Sequence, residues 1–149
     1  MSKRKSLPNG MPVDAISRVY ARELGRHSTQ LIEEIKSFLA NEVASDVKEA
    51  TVEVFPDEYG DGCTSVGLYL TGQVTKHIAF AEYLNDLPLI DVEGYKEEVS
   101  IPDLVVDQVK KWFAECWWKA CGWDYDIPVE LNGHEGFGDG NSIKLTKNC

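Results

Sequence analysis

The chain has 149 residues, of which 43% are hydrophobic and 27% charged, the composition of an ordinary globular protein that is able to bury a core. No apolar stretch reaches the roughly 18 residues that a membrane span requires, so we expect no membrane association. The net charge of −10 is uneven, because residues 1–26 carry +4 and residues 27–149 carry −14, which disfavours direct nucleic-acid binding and favours basic partners.

Residues 1–10 contain a basic cluster with no apolar segment behind it, which predicts a flexible basic arm and not a secretion signal. We therefore expect a cytoplasmic protein whose four cysteines are reduced thiols. The cysteine spacing matches no metal motif, and we expect no cofactor. Residues 11–149 show no linker and no repeat of fixed period, which predicts a single α+β domain.

Apolar residues at three- and four-residue spacing predict two helices at the start of this domain. The first begins near Val13 and stops at Gly25, and the second runs from Ser28 to Ala44, with Ser28 or Thr29 as its N-cap. One long helix that contains Gly25 is the alternative, which the sequence leaves open.

After Lys48 the apolar period changes from 3.6 to 2, the alternation typical of half-buried strands. The connections between the first strands are short and contain no helix, so the sheet should be mainly antiparallel. The last two strands predict a C-terminal β-hairpin joined by a glycine-rich loop. Strands are predicted at 51–55, 64–71, 74–83, 87–92, 127–131 and 142–145.

A tryptophan-rich helix is predicted over about 101–121, where apolar residues recur at helical spacing around Trp112, Trp117 and Trp118. The lysines in its C-terminal half suit the helix dipole, and Gly122 suits the left-handed position that follows a helix. This helix should pack on the sheet as the main core helix. The resulting fold class is α+β.

The glycine-rich loop at 132–141 contains side chains that could carry chemistry. His134 and Glu135 are the weak candidates for acid–base catalysis, in a small hydrolase that would use His134 with Glu135 or Asp139. Asp139 and Asn141 are weak candidates for calcium binding, because calcium prefers oxygen ligands. The loop lacks the glycine spacing of a phosphate cradle and leads into a strand. A connecting or partner-contacting loop, with no catalysis and no metal, is the simpler interpretation.

Two acidic stretches with interspersed tyrosines, at 49–62 and 82–107, predict a protein-binding surface. Such a surface accelerates the capture of a basic protein, and tyrosine is a common interface anchor. The alternative is an acidic surface that serves solubility alone. The residues predicted to bind the partner are Asp57, Glu58, Tyr59, Asp61, Asp91, Glu93, Tyr95, Glu97 and Glu98.

In size, acidity and α+β pattern the chain resembles bacterial immunity proteins, compact acidic proteins that neutralise a cognate toxin, often a basic nuclease. The resemblance rests on no motif and assigns no residue a role. It implies a non-enzymatic protein whose partner is basic, such as a toxin domain. A DNA mimic that inhibits a nucleic-acid-binding protein is a further alternative. So is a structural subunit that exposes Trp118 or Trp123 for assembly.

Overall fold

A computed structural model of the protein describes residues 13–41, 43, 45–56, 64–80, 101–136 and 138–147. Within these residues, helices and a five-stranded mixed sheet form the predicted α+β fold. The helices are α1 (Val13–Gly25), α2 (Ser28–Ala40) and α3 (Ile101–Lys119). The strands are β1 (Glu49–Pro56), β2 (Thr64–Thr71), β3 (Lys76–Phe80), β4 (Val129–Gly133) and β5 (Ile143–Lys144).

The sheet has the strand order β3-β2-β1-β4-β5. Its pairings are antiparallel, as predicted, except that β1 and β4 pair in parallel, with Ala50 opposite Val129. The sequence argument against parallel pairing considered only consecutive strands. The connection from β1 to β4 instead passes through α3, which supplies the crossover that a parallel pair requires. The predicted C-terminal hairpin is formed by β4 and β5.

The two N-terminal helices are separate, because the chain turns after Gly25, where the amide of His27 donates to the carbonyl of Leu24. His27 occupies the N-cap position of α2, so the prediction that Ser28 or Thr29 caps this helix is wrong. The Ser28 hydroxyl instead accepts a hydrogen bond from Nε1 of Trp112, at 2.9 Å. The Ser28 hydroxyl oxygen therefore takes part in a contact with α3 and does not cap α2.

Helices α2 and α3 pack on one face of the sheet, which we call the inner face. Aromatic rings fill this interface: Phe80 of β3 lies 5.7 Å from both Phe38 of α2 and Phe113 of α3, between ring centroids. Trp117 is fully buried and stacks on Phe113 at 6.2 Å. The tryptophan-rich helix is therefore the core helix, as its apolar period predicts.

The end of α3 differs from the prediction, because Cys121 and not Gly122 adopts the left-handed conformation, with φ of 68°. Cys121 is exposed, whereas Cys116 is buried, and both are free thiols. Gly122 is needed for packing, since a Cβ at this position would overlap the indole of Trp117. The predicted strand at 87–92 and the predicted arm lie outside the described residues.

Candidate functional site

Strand alternation gives the sheet an outer face, on the side opposite the helices. The valines of β1 point inward and are buried, whereas Glu53 and Phe55 point outward and are partly exposed. The strand register places Tyr69 of β2 and His77 of β3 opposite each other on the same outer face. This face therefore combines a carboxylate with aromatic side chains.

Four rings form a continuous line across the outer face, which we call the ring row: His77, Tyr69, Phe55 and His134. The successive centroids are 4.9, 6.5 and 4.4 Å apart. The row crosses from the edge strand β3 to the short 3-10 turn that follows β4. Gly67 permits this packing, because a Cβ there would lie 2.6 Å from Nε2 of His77. The ring row is a product of sheet register, since its members come from four different elements.

The carboxylate of Glu53 lies beside the ring row. Its Oε2 is 3.5 Å from Nδ1 of His134, and its side chain is 30% exposed. Burial raises the pKa of the Tyr69 phenol above 10.0, and the charge of Glu53 raises it further. The phenol therefore stays protonated at neutral pH and remains a hydrogen-bond donor next to this carboxylate.

His134 and Glu135, the predicted catalytic candidates, lie together in the 3-10 turn at the end of β4. Nε2 of His134 is 3.7 Å from Oε1 of Glu135, and its Nδ1 is buried without a hydrogen-bond partner among the described residues. Glu135 has a φ of 53°, a left-handed conformation that is unusual for a residue with a Cβ. The imidazole thus lies between two carboxylates, in contacts longer than a good hydrogen bond.

A pocket walled partly by the tryptophan-rich helix would favour the hydrolase hypothesis. His134 packs on Phe55 of the outer face, whereas α3 covers the inner face, so the two lie on opposite sides of the sheet. Asp139, the alternative to Glu135 as the partner of His134, forms an ion pair with Lys110. The structure therefore brings His134 together with Glu135 and Glu53 but not with Asp139.

Asp139 and Asn141, the candidate calcium ligands, contact Lys110 of α3. Nζ of Lys110 donates to Oδ1 of Asp139 at 2.9 Å and to the Asn141 carbonyl at 2.6 Å. Lys110 is only 2% exposed. Hydrogen bonds from the Asn141 amide and from Lys110 lower the pKa of Asp139 to about 2. An ammonium group therefore lies against the oxygens that were proposed for calcium.

Two carboxylates of α3 also accept hydrogen bonds from backbone amides of this loop. Asp103 accepts a hydrogen bond from the Gly138 amide at 2.9 Å, and Asp107 accepts one from the Asp139 amide at 2.8 Å. Among the described residues, no group of three or more His, Cys, Asp and Glu side chains is placed to hold a metal ion. The contacts of this loop fasten it to α3.

A cavity of about 510 Å³ lies between the end of α2 and the turn that joins β2 to β3. Its walls include the apolar side chains of Phe38, Leu70 and Ile78 together with Asp46 and Lys76. The Asp46 carboxylate already accepts a hydrogen bond from a backbone amide of the turn, at 2.7 Å. This cavity contains neither of the predicted catalytic residues.

Trp118 near the end of α3 is 42% exposed and Trp123 in the short turn after it is 43% exposed, whereas the other aromatic residues of α3 are buried. Nε1 of Trp118 donates to the carbonyl of Leu145 at 3.3 Å, so this indole lies along the C-terminal segment. Exposure of both tryptophans is the feature on which the structural-subunit alternative depends.

The nine residues predicted to bind a partner, from Asp57 to Glu98, lie outside the described residues. The sequence interpretation included Glu53 only as a member of the acidic stretch 49–62. It missed the outward-facing Phe55 and Tyr69, because it followed the apolar positions of each strand. The sequence does contain a signal for this face, because Glu53 and Phe55 of β1 and Tyr69 of β2 occupy the positions that alternate with the buried ones. Which strands are neighbours, however, is not readable from that pattern.

No family model matches the chain, and the searches of curated proteins and of solved structures found no match. In the described part of the chain, no helix combines the length and the apolar character needed to cross a membrane.

Proposed function

We propose that this chain is a protein-binding module that captures a basic protein through the acidic, aromatic outer face of its sheet. The observation that carries the proposal is the ring row with the Glu53 carboxylate beside it. Aromatic rings contribute large contact area at low entropic cost, and a carboxylate among them selects a partner of opposite charge.

The charge of the whole chain supports the same partner. Residues 27–149 carry a net charge of −14, so the molecule attracts a basic protein before contact is made. Glu130 adds another carboxylate to the outer face, since it pairs in register with Thr51 next to Glu53. Long-range attraction and a local acidic site therefore favour one class of partner.

The finer version of this proposal is an immunity protein that neutralises a basic toxin, of the nuclease type, in the bacterial cytoplasm. Its support is the resemblance in size, acidity and α+β pattern, together with free thiols at Cys116 and Cys121 that a reducing compartment would maintain. The acidic residues from Asp57 to Glu98 named above would extend the binding surface beyond the ring row.

The test is a pull-down from a lysate of the source organism with the tagged protein as bait, at low and high salt. We expect one basic protein to be retained in stoichiometric amount and its affinity, measured after purification, to fall about 10-fold or more between 50 and 500 mM salt. Reversal of Asp57, Glu58 and Asp61 to Lys tests the predicted acidic loop. Retention of only acidic proteins, or an affinity that does not change with salt concentration, would contradict the proposal.

The same experiment separates the versions of this function. A toxin partner is inactivated when it binds, whereas the target of a DNA mimic is a nucleic-acid-binding protein that DNA displaces from the bait. A partner that is neither toxic nor displaced by DNA supports the general binding proposal and contradicts both finer versions.

A small hydrolase is the second candidate function, favoured by the position of His134 between Glu53 and Glu135. An imidazole next to carboxylates can accept and release protons in catalysis. This candidate predicts turnover of an activated ester such as p-nitrophenyl acetate that is lost in His134→Ala. Equal rates for the two proteins would reject it.

A further inference from the structure

We infer that the outer face is a receptor for an arginine side chain of the partner, with the guanidinium group held between the ring row and Glu53. This inference rests on the proposed function, which it deepens by naming the chemical group that is recognised and the residues that recognise it. The site consists of Glu53, Phe55 and Tyr69, with His77 and His134 at its two sides.

The two central rings form a corner that suits a planar cation. Phe55 and Tyr69 are 6.5 Å apart between centroids, and their planes meet at 67°. A ring face attracts positive charge when the cation lies within about 6 Å of the ring centroid, so a guanidinium bound beside these two rings would gain from this attraction. The outer rings support the corner, since His134 packs on Phe55 at 4.4 Å and His77 on Tyr69 at 4.9 Å.

Glu53 has hydrogen-bonding capacity that the described residues leave unused. Its Oε2 lies 3.5 Å from Nδ1 of His134, and that nitrogen has no hydrogen-bond partner among the described residues. Among the described residues, no donor forms a hydrogen bond with the Glu53 carboxylate. An ionised carboxylate accepts several hydrogen bonds, so a ligand with two parallel N–H groups would complete this site.

The cross-strand neighbour of Glu53 on β2 is Gly67, which has no side chain of its own. The ring of His77 fills the space above Gly67, since its Nε2 lies 2.6 Å from the position of a Cβ there, and the edge of the Phe55 ring borders the same space. The Glu53 carboxylate and these rings therefore form one continuous acidic and aromatic surface on the outer face.

A guanidinium suits this acidic and aromatic surface better than an ammonium. It is planar, stacks on aromatic faces and presents its donors as a rigid fork that matches a carboxylate. Lysine presents a strongly hydrated point charge, which gains less from stacking. The negative field of the chain favours either cation, so selectivity for arginine over lysine is the specific consequence of the ring row.

The test is an NMR titration of the full chain with three peptides, acetyl-Gly-Ser-Gly-X-Gly-Ser-Gly-amide, in which X is arginine, lysine or citrulline. Citrulline keeps the shape of arginine but has no charge. We expect the arginine peptide to shift the ring resonances of Tyr69 and Phe55 and to bind about 10-fold or more tightly than the citrulline peptide. The lysine peptide should bind with intermediate affinity.

Variants locate the site. Glu53→Gln should weaken the arginine peptide about 10-fold, and Phe55→Leu should remove its preference over lysine. Glu115→Gln is the matched control, because it makes the same change of charge on an exposed position of α3. Tyr69→Leu is the second ring variant, used if Phe55→Leu fails to fold by circular dichroism.

Equal affinity for arginine and citrulline, or equal effects of Glu53→Gln and Glu115→Gln, would overturn the inference. Tighter binding of a single-stranded oligothymidine than of the arginine peptide would also overturn it, in favour of base stacking on the ring row. A basic partner that Glu53→Gln binds normally would overturn this site but leave the proposed function intact. Arginine binding without any basic partner would support the site and contradict the function.

Discussion

Gly122 shows how a single residue of this protein is selected by packing and not by backbone conformation. It follows α3 and has the sequence position of a helix-terminating glycine, yet the left-handed residue is Cys121. The indole of Trp117, which is fully buried, occupies the space that a side chain at Gly122 would need. The main core helix therefore depends on a residue with no side chain just beyond its end.

Replacement of Gly122 by Ala should lower the free energy of unfolding by about 1–3 kcal/mol, because the added methyl group forces the buried Trp117 indole to move. Urea unfolding followed by tryptophan fluorescence measures the change. Gly25→Ala is the matched control, since no atom lies within 4 Å of the Cβ that it adds. We expect this control to stay within about 0.5 kcal/mol of the unmodified protein. Equal losses for the two variants would show that Trp117 packing is not the cause.

The glycine-rich loop between β4 and β5 shows how one element is attached to another. Lys110, Asp103 and Asp107 of α3 hold its backbone and the Asp139 carboxylate. The folded-state pKa of Asp139, about 2, lies below its ordinary value of 3.8. The contribution of this carboxylate to stability is therefore complete above about pH 4 and is lost as the pH falls towards 2.

Replacement of Lys110 by Met should free the loop without unfolding the protein. Removal of one partner from a fully buried ion pair costs about 3–5 kcal/mol, but the Asp139 side chain is 48% exposed, so water can solvate its carboxylate and the global cost should be smaller. The loop itself loses charge-assisted hydrogen bonds. We expect the amides of Gly138, Asp139 and Asn141 to exchange with solvent about 10- to 100-fold faster, by hydrogen exchange at neutral pH. Amides of β1 and β2 serve as the internal control.

Faster exchange in those strands as well would mean that Lys110 supports the whole fold and not the loop. Asp107→Asn gives a second measurement, because it weakens the acceptor of the Asp139 amide alone. Its effect should be confined to that amide.

At the scale of the whole molecule, charge is the dominant feature. A net charge of −10, with −14 in residues 27–149, means that the folded chain repels itself at low ionic strength. The same field that would attract a basic partner therefore lowers the stability of the free protein. Binding of such a partner would relieve the repulsion and would remove apolar surface of the partly exposed rings from water.

We expect the thermal midpoint to rise by roughly 2–4 °C between 10 and 300 mM sodium chloride, which corresponds to about 1 kcal/mol for a chain of this size. Differential scanning calorimetry measures the shift. Glu49→Gln with Glu115→Gln is the comparison variant, because both positions are exposed and the net charge becomes −8. Its response to salt should be smaller. An identical response in the two proteins would argue against self-repulsion as the cause.

Local patterns predicted most of the fold. The first helix and the second strand lie where the apolar period places them, at Val13–Gly25 and Thr64–Thr71. The tryptophan-rich helix begins at Ile101 and ends at Lys119, close to the predicted range. These features depend on residues that are neighbours in the chain, so their spacing alone contains the information. The error at Ser28 arose because Trp112, 84 residues further along the chain, decides the role of the residue. The error at Gly122 arose because the packing of the Trp117 indole, and not the backbone conformation, requires a residue without a side chain there.

The sequence by itself determined the fold class, the core helix and the acidity of the molecule, because composition and periodicity are properties of the chain. Only the tertiary structure decided that β1 pairs in parallel with β4, that Lys110 is buried against Asp139 and that the ring row exists. Each of these joins residues from elements far apart in the chain. Their meeting depends on strand order and on helix packing, and no local pattern of residues contains that order.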